Sequence, residues 1–261
     1  MNVGRMMNKV AMITGAGSGI GRATAMLMAQ EGATVIIADI DRNSAEMVAR
    51  DVIDAGNNAE AVHLDVSDAS AWEHTMEKVL AKYQQLDVLV NNAGITLAKP
   101  VHLASLEDWR KVLAVNLDGV FLGTKQAIRT MKNGGSIVNV SSVSGIKPSA
   151  GAAAYCTSKA AIRMFSKTVA IECADANTGI RVNVVTPGGV KTPLWEKEDF
   201  FQQLINEHGS SEAAFSVMEG KIPSQRFYTS EEVAQTIFYL TSDESAHVTG
   251  AEIILDRGHT G

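Results

Sequence analysis

Short apolar runs rich in β-branched residues alternate with amphipathic stretches along almost the whole chain. The intervening stretches predict helices at 22–32, 43–56, 67–83, 106–131, from Tyr155 onward and at 230–242. Strand-helix alternation of this kind gives an α/β sheet with helices on both faces, here a doubly wound, mostly parallel one. The apolar runs are the predicted strands, at 9–14, 33–39, 59–65, 86–94, 135–142, 180–189 and 250–258.

The chain shows no internal repeat, low-complexity run or linker, so residues 1–261 are expected to form a single domain. Its formal charge is −6, from 23 Lys and Arg against 29 Asp and Glu, without basic blocks. That balance argues against nucleic acid or an anionic membrane as the main partner. No apolar run approaches the roughly 18 residues of a membrane span, so a membrane partner is not expected. The motifs described below predict a small-molecule substrate as the partner.

The two cysteines, Cys156 and Cys173, fall in one predicted helix. Their separation of 17 residues corresponds to about 25 Å along a helix, well beyond disulfide reach. Neither has metal-ligand spacing around it, so no metal is expected. A reducing cytoplasm is the simplest compartment for such a chain.

Three glycines lie where the first predicted strand turns into the first helix: Gly15, Gly19 and Gly21. Without side chains, such a turn is tight and lets a pyrophosphate approach the helix N-terminus. Three glycines can also merely close a βα turn. Asp39, at the end of the next strand, favours a dinucleotide site, because a carboxylate there can accept hydrogen bonds from the adenosine ribose.

Asp39 also indicates which dinucleotide binds. A carboxylate repels a 2′-phosphate, and Ser18 adds no positive charge to the glycine loop. Arg42 is close enough in sequence to counter this, but we expect it to be solvated at a helix start. The sequence therefore favours NAD over NADP.

Tyr155 and Lys159 are four residues apart in a predicted helix, so their side chains share one face. A free tyrosine has a pKa near ~10, and a nearby ammonium favours its phenolate. Tyr155 is therefore a candidate general acid or base, with Ser142 just past a strand end. The alternative is an ordinary surface Tyr and Lys, because this spacing often arises by chance.

Taken together, these motifs resemble the short-chain dehydrogenase/reductase family along essentially the whole chain. The resemblance rests on TGAGSGIG (14–21), Asp39, NNAG (91–94), Asn116, Ser142 and Tyr155-x-x-x-Lys159. It implies a seven-stranded parallel sheet, a nicotinamide cofactor and hydride transfer between NAD(H) and a secondary alcohol or ketone. It also implies that the chain forms a homotetramer through the 106–131 helix, the Tyr155 helix and the last strand.

The resemblance further implies roles for individual residues. Tyr155 would be the acid/base, Ser142 would polarise the substrate oxygen, and Lys159 would bind the nicotinamide ribose. Asn116 would hold the water through which Lys159 relays protons to solvent. Cofactor contacts would come from Gly15, Ser18, Gly19, Ile20, Gly21, Asp39, Asp65, Val66, Asn92, Ala93, Gly94, Tyr155, Lys159, Pro187, Gly188, Val190 and Thr192. Substrate contacts would come from Ser142, Ser144 and Tyr155, with Ile95, Leu97, Val143 and Ile146 as further pocket candidates.

By the same resemblance, residues 192–223 are similar to a lid over the substrate. Their apolar side chains suggest a substrate with an apolar, possibly cyclic body, although apolar residues at helical spacing are equally often core. Two alternatives remain open: an NADPH-dependent 3-ketoacyl reductase and a non-catalytic dinucleotide-sensing module. One departure from the family pattern is Arg257, within Asp256-Arg257-Gly258, where Asp-Gly-Gly is frequent.

Overall fold

A computed structural model describes residues 4–220, 222 and 224–260, and the predicted fold is confirmed. Seven strands form one sheet in the order β3-β2-β1-β4-β5-β6-β7, and every neighbouring pair is parallel. Connections between parallel strands must cross over a face of the sheet, which places helices on both sides. The strands are β1 (Val10–Thr14), β2 (Thr34–Asp39), β3 (Asn58–His63), β4 (Val88–Asn91), β5 (Gly135–Val140), β6 (Ile180–Pro187) and β7 (Glu252–Leu255).

The helices follow the predicted order, with two further helices in the 192–223 segment. Each long helix packs an apolar stripe against the sheet, as the amphipathic pattern predicts. The helices are α1 (Gly19–Gln30), α2 (Arg42–Asp54), α3 (Ala69–Tyr83), α4 (Leu106–Leu113), α5 (Gly119–Thr130), α6 (Ala153–Asp175), α7 (Asp199–His208), α8 (Ser211–Glu219) and α9 (Ser230–Thr241).

The predicted 106–131 helix contains an irregularity. Between α4 and α5, residues Ala114–Asp118 form a π-helical segment, which includes the fully buried Asn116. Single π-helical turns inside longer helices often occur at functional sites. The hydrophobic periodicity of the sequence predicts the helix, but it does not predict this local change of hydrogen bonding.

The strand predicted at 86–94 is shorter than expected and ends at Asn91. The Asn92 amide group turns away from the sheet and donates to the carbonyls of Thr14 (2.9 Å) and Gly15 (3.1 Å). These bonds tie the end of β4 to the end of β1. The sequence NNAG therefore terminates the strand instead of continuing it.

Two apolar clusters fill the two faces of the sheet. One surrounds Ile13, Met28 and Ile237, and the other surrounds Leu89 and Trp72. Burial of such side chains is the main favourable contribution to folding. Among the described residues, no helix is both long and apolar enough to cross a membrane.

The predicted lid, 192–223, has an apolar cluster of its own, although Lys221 and Pro223 lie outside the described residues. Phe201 and Phe215 pack with ring centroids 4.7 Å apart and are both buried, beside Phe227. A main-chain bridge between Val190 and Tyr228 closes the base of the segment. The segment is therefore a small, internally packed unit attached at one edge of the domain.

Candidate active site

A cavity of about 310 Å³ lies at the carboxyl ends of the central strands. The order of the sheet reverses between β1 and β4, and open α/β sheets bind ligands in the crevice at such a point. The residues that line this cavity are Gly15, Ser18, Gly19, Ile20, Asp39, Ile40, Leu64, Asp65, Val66, Asn92, Ala93, Gly94, Ile95, Val115, Val140, Ser141, Tyr155, Lys159, Pro187, Gly188, Val190, Thr192, Pro193, Leu194, Trp195 and Lys197.

The glycine loop is held in place by the end of β4. The Thr14 hydroxyl accepts hydrogen bonds from the main-chain amides of Asn92 (3.0 Å) and Ala93 (3.1 Å). Gly15 has φ +62°, and a Cβ atom there would lie 2.8 Å from the Cα atom of Ala93. Glycine is therefore required at position 15 both for its conformation and for this close approach.

Asp39 organises the same loop from the other side. One of its carboxylate oxygens accepts from the amide of Gly17 and the other from the amide of Asp41, each at 2.9 Å. Arg42 lies outside the cavity lining, with an exposed side chain that pairs with Glu46 at 3.0 Å. As expected, the Arg42 charge is solvated, and its partner is Glu46 on its own helix.

The candidate catalytic side chains converge at the inner end of the cavity. Tyr155 and Lys159 lie one turn apart on α6, with the Lys159 ammonium 5.8 Å from the centre of the Tyr155 ring. Ser142 follows β5 by two residues, and its hydroxyl is close enough to Tyr155 to act on the pKa of that phenol. Lys159 is buried and donates to the carbonyl of Val140 at 2.9 Å.

The buried surroundings of Tyr155 and Lys159 shift their pKa values in directions that the sequence does not predict. Burial raises the pKa of Tyr155, and the nearby Ser142 hydroxyl opposes that effect only in part. Burial also lowers the pKa of Lys159 to about 8. The expected lowering of the Tyr155 pKa by Lys159 is therefore wrong, because the effect of burial dominates.

Burial of Lys159 predicts a pH-dependent stability. Between its folded pKa, about 8, and its unfolded value near ~10.4, the unfolded chain binds more protons, so stability rises with pH. Relative to Lys159→Met, the parent without cofactor should gain about 2 kcal/mol in free energy of unfolding between roughly pH 7 and 9.5. Urea denaturation of both proteins at the two pH values measures this. A constant difference would show that Lys159 titrates normally.

Asn116 connects the helices behind the site. Its side-chain carbonyl accepts from the Ile95 amide at 2.8 Å, and its amide group donates to the Ile95 carbonyl at 2.9 Å. The amide group also donates to the Ser158 hydroxyl at 3.1 Å. A Cβ on Gly94 would lie 3.4 Å from the Asn116 oxygen and 3.5 Å from the Lys159 nitrogen. Asn116 thus lies beside Lys159 and fixes α6 to the chain that follows β4.

Most of the predicted cofactor residues line the cavity, and four predicted site residues do not: Gly21, Asn116, Ser142 and Ser144. Gly21 packs against the loop, since a Cβ there would be 2.3 Å from the Gly15 carbonyl oxygen. The Ser144 amide donates to the Ser142 hydroxyl at 3.2 Å. Of the further pocket candidates, only Ile95 lines the cavity, whereas Leu97, Val143 and Ile146 do not.

Several lining residues were not predicted from the sequence. Ile40 and Leu64 adjoin the predicted Asp39 and Asp65, so their positions at strand ends could have indicated them. Val115 belongs to the π-helical segment and Lys197 to a 3-10 turn at Trp195–Lys197. No sequence pattern marks either of these two residues.

The cavity fits a dinucleotide. Gly19, at the start of α1, faces Thr192, because a Cβ at Gly19 would meet the Thr192 methyl group at 3.3 Å. The side chain of the helix-capping residue Ser18 forms no capping hydrogen bond among the described residues. The first amides of α1 can thus interact with an anion, as at other helix N-termini. Asp39 lies at the far end, where a ribose hydroxyl could donate to it.

Comparison with known proteins agrees with this geometry. Residues 15–260 match a family described as enoyl-(acyl carrier protein) reductase. A cyclopentanol dehydrogenase of Comamonas sp. is 38% identical over 260 residues, which cover 99% of both chains. The 3-oxoacyl-(acyl-carrier-protein) reductase FabG of Thermotoga maritima is 43% identical over 256 residues, 97% of this chain and 98% of that one.

A third relative bears on the cofactor. The NADP-dependent (R)-specific alcohol dehydrogenase of Lentilactobacillus kefiri is 37% identical over 264 residues, 98% of each chain. These relatives match over their full lengths, and all are oxidoreductases by name. Together with the glycine loop and the Ser142, Tyr155 and Lys159 cluster, the matches establish an oxidoreductase that uses a nicotinamide dinucleotide. The chain belongs to the short-chain dehydrogenase/reductase family.

Proposed function

We propose that the protein is an NAD-dependent dehydrogenase that interconverts a secondary alcohol and a ketone. The observation that carries this proposal is that Tyr155 and Lys159, one turn apart on α6, both line the cavity beside the glycine loop, with the Ser142 hydroxyl near Tyr155. A side chain that transfers a proton must lie within hydrogen-bond reach of the reacting oxygen. A substrate oxygen bound between the Tyr155 and Ser142 hydroxyls meets that requirement.

A nicotinamide held in this cavity would supply the hydride chemistry, which transfers both electrons of the C–H bond. The protein handles the proton. In ketone reduction, Tyr155 donates its proton to the carbonyl oxygen, while the Ser142 hydroxyl stabilises the negative charge that develops there. In alcohol oxidation, Tyr155 accepts the hydroxyl proton instead. Because burial keeps Tyr155 protonated, oxidation should be favoured by higher pH.

The choice of NAD over NADP rests on Asp39 and on the solvated charge of Arg42. Asp39→Asn removes the charge that repels a 2′-phosphate but keeps one oxygen to accept a main-chain hydrogen bond. We expect the ratio of the NADP and NAD dissociation constants to fall about tenfold, equivalent to about 1.4 kcal/mol. Titration of both cofactors into the two proteins measures this ratio.

Asp39→Ser is the informative comparison for that experiment. It removes both the charge and the two loop contacts, so binding of NAD itself should weaken more than in Asp39→Asn. A parent protein that binds both cofactors equally would contradict the proposal and show that another cation compensates.

The substrate proposed is an alcohol or ketone with an apolar, possibly cyclic body. Leu194 and Trp195 of the lid, together with Ile95, give the cavity an apolar wall. The lid residues Phe201 and Phe215, by contrast, are buried in its own cluster and do not face the cavity. The lid therefore contributes substrate-facing apolar residues mainly from its first turn.

Spectrophotometric assay of reduced cofactor over a panel of alcohols and ketones, with NAD and with NADP, tests the proposal. We expect turnover of cyclic or apolar secondary alcohols with NAD. Activity confined to highly charged substrates would contradict the substrate class. Activity only with NADPH on thioester-linked 3-ketoacyl groups would favour the second candidate, which the 43% identity to a 3-oxoacyl-(acyl-carrier-protein) reductase supports. Tight cofactor binding without any turnover would indicate the non-catalytic alternative.

We also propose a homotetramer in the cytoplasm. Phe121 on α5 and Met164 and Ile171 on α6 have exposed fractions of 47%, 67% and 63%. Large apolar side chains exposed on adjoining helices indicate an interface. Cys156 and Cys173 are buried free thiols, as suits a reducing compartment. Light scattering at micromolar concentration should give four times the chain mass, and a monomer would contradict the assembly.

A further inference from the structure

The charged lining of the dinucleotide cavity contains a cation from the lid. Four of the lining residues are charged: Asp39, Asp65, Lys159 and Lys197. Lys159 lies at the catalytic end, where its ammonium donates to the Val140 carbonyl. Lys197 remains as the cation for the adenosine half of the cavity, which two carboxylates otherwise make negative. A dinucleotide pyrophosphate carries negative charge that such a cation can balance.

The position of Lys197 is fixed by its neighbours on both sides. The Trp195 indole N–H donates to the Val190 carbonyl at 2.8 Å, and the indole stacks on Phe227. Glu198, which is 7% exposed, accepts from the Ala98 amide at 3.1 Å. The turn that carries Lys197 is therefore held to the main domain before and after it. Such preorganisation reduces the entropy lost when a ligand binds.

Lys197 has no competing carboxylate at close range. Lys191, the other lysine near the base of the lid, pairs with Glu219 at 3.0 Å, whereas Lys197 forms no ion pair within the described part of the chain. A hydrogen bond from Ser44 is the main cause of the lowered pKa of Asp41, and the Lys197 charge adds a smaller effect. Lys197 is therefore close enough to Asp41, which follows β2, for its charge to act on that carboxyl. The same end of the lid lies against the start of α1, because a Cβ at Gly19 would meet Thr192 and Pro193.

We propose that Lys197, carried by the lid, binds a phosphate group of the dinucleotide. The inference rests on the proposed dinucleotide-dependent function. It adds a lid residue to a phosphate site otherwise formed by the glycine loop and the start of α1. Since Lys197 shares one turn with Trp195, cofactor binding and the placement of the apolar wall become linked.

The test uses ADP-ribose, which has the pyrophosphate but no nicotinamide, so binding is measured apart from catalysis. Calorimetry should show that Lys197→Met weakens ADP-ribose about 3- to 10-fold, the range of one partly exposed ion pair with a phosphate. Lys197→Arg should retain most of the affinity. Lys78→Met is the matched control. It removes the same charge from an exposed side chain on α3, outside the cavity lining.

Comparison of three ligands identifies the phosphate group that Lys197 contacts. If Lys197→Met binds ADP-ribose and 2′-phospho-ADP-ribose more weakly by the same factor, Lys197 contacts the pyrophosphate. If only the affinity for 2′-phospho-ADP-ribose falls, Lys197 contacts the 2′-phosphate, and this result also argues against a preference for NAD. Adenosine has no phosphate and should bind all variants alike. At about 0.5 M salt the difference between parent and Lys197→Met should shrink, because exposed charges are screened.

Other results overturn the inference. Unchanged binding of both ADP-ribose and 2′-phospho-ADP-ribose by Lys197→Met shows that Lys197 makes no phosphate contact. An equal loss for adenosine shows that the substitution only disturbs the lid. If the parent protein does not bind ADP-ribose, the proposed dinucleotide function is wrong, and this inference with it. If the parent binds ADP-ribose and only the Lys197 results differ from expectation, the inference alone is wrong.

Discussion

Tyr155→Phe should reduce turnover by at least about 10²- to 10⁴-fold while leaving the dissociation constant of NAD nearly unchanged. The substitution removes only the Tyr155 hydroxyl, near that of Ser142, and general acid-base catalysis typically contributes that range. The ring remains to fill its place on α6. Steady-state rates and cofactor titration of the purified variant measure the two effects separately.

Tyr83→Phe provides the matched control. It removes a hydroxyl that donates to Glu60 at 2.7 Å, on α3 and away from the cavity. Turnover of that variant should match the parent. If Tyr155→Phe keeps more than about a tenth of parental turnover, less than the smallest loss expected of a general acid, Tyr155 does not carry the proton.

Gly21→Ala should weaken dinucleotide binding at least about tenfold, and lower the free energy of unfolding by about 1–3 kcal/mol, the usual effect of overpacking. The added methyl group would lie 2.3 Å from the Gly15 carbonyl oxygen and 2.7 Å from the Asn92 amide nitrogen. The helix and the glycine loop must therefore separate. Loss of the Asn92 contact then releases the end of β4 as well.

Gly56→Ala distinguishes the loss of stability from the loss of dinucleotide binding. Gly56 has φ +83°, and a Cβ there meets no atom within 4 Å, so the substitution strains the backbone without touching the cavity. Both variants should be less stable in urea denaturation, but only Gly21→Ala should lose affinity for ADP-ribose. Equal affinity of the two variants would show that the loop tolerates the displacement.

The features that the sequence predicts well are local or periodic. The alternation of strands and helices predicts the α/β class, because each element repeats its own spacing of apolar residues. The turn with Gly15, Gly19 and Gly21 is equally local, since it needs only a strand before it and a helix after it. The carboxylate of Asp39, at the end of β2, adds a hydrogen bond from Gly17 of this loop. These elements therefore appear in the structure close to where the sequence indicates them.

The features that the sequence does not predict depend on tertiary packing. The four-residue spacing of Tyr155 and Lys159 indicates their proximity, but it contains no information on burial, which sets the direction of both pKa shifts. The spacing of apolar residues in the lid likewise does not show which of them face the cavity. Phe201 is buried in the lid cluster, whereas Trp195 lines the cavity. Lys197 reaches the cavity only because its turn is held at both ends.

The separate apolar cluster of the lid has a consequence for how this segment can change in sequence. Because Phe201, Phe215 and Phe227 pack mainly with one another, substitutions within residues 199–219 leave the two sheet-facing cores intact. The Val190 and Tyr228 bridge and the contacts of Trp195 and Glu198 attach the segment on its N-terminal side. Residues 199–219 should therefore tolerate sequence change among relatives without loss of the sheet cores or displacement of Tyr155 and Lys159.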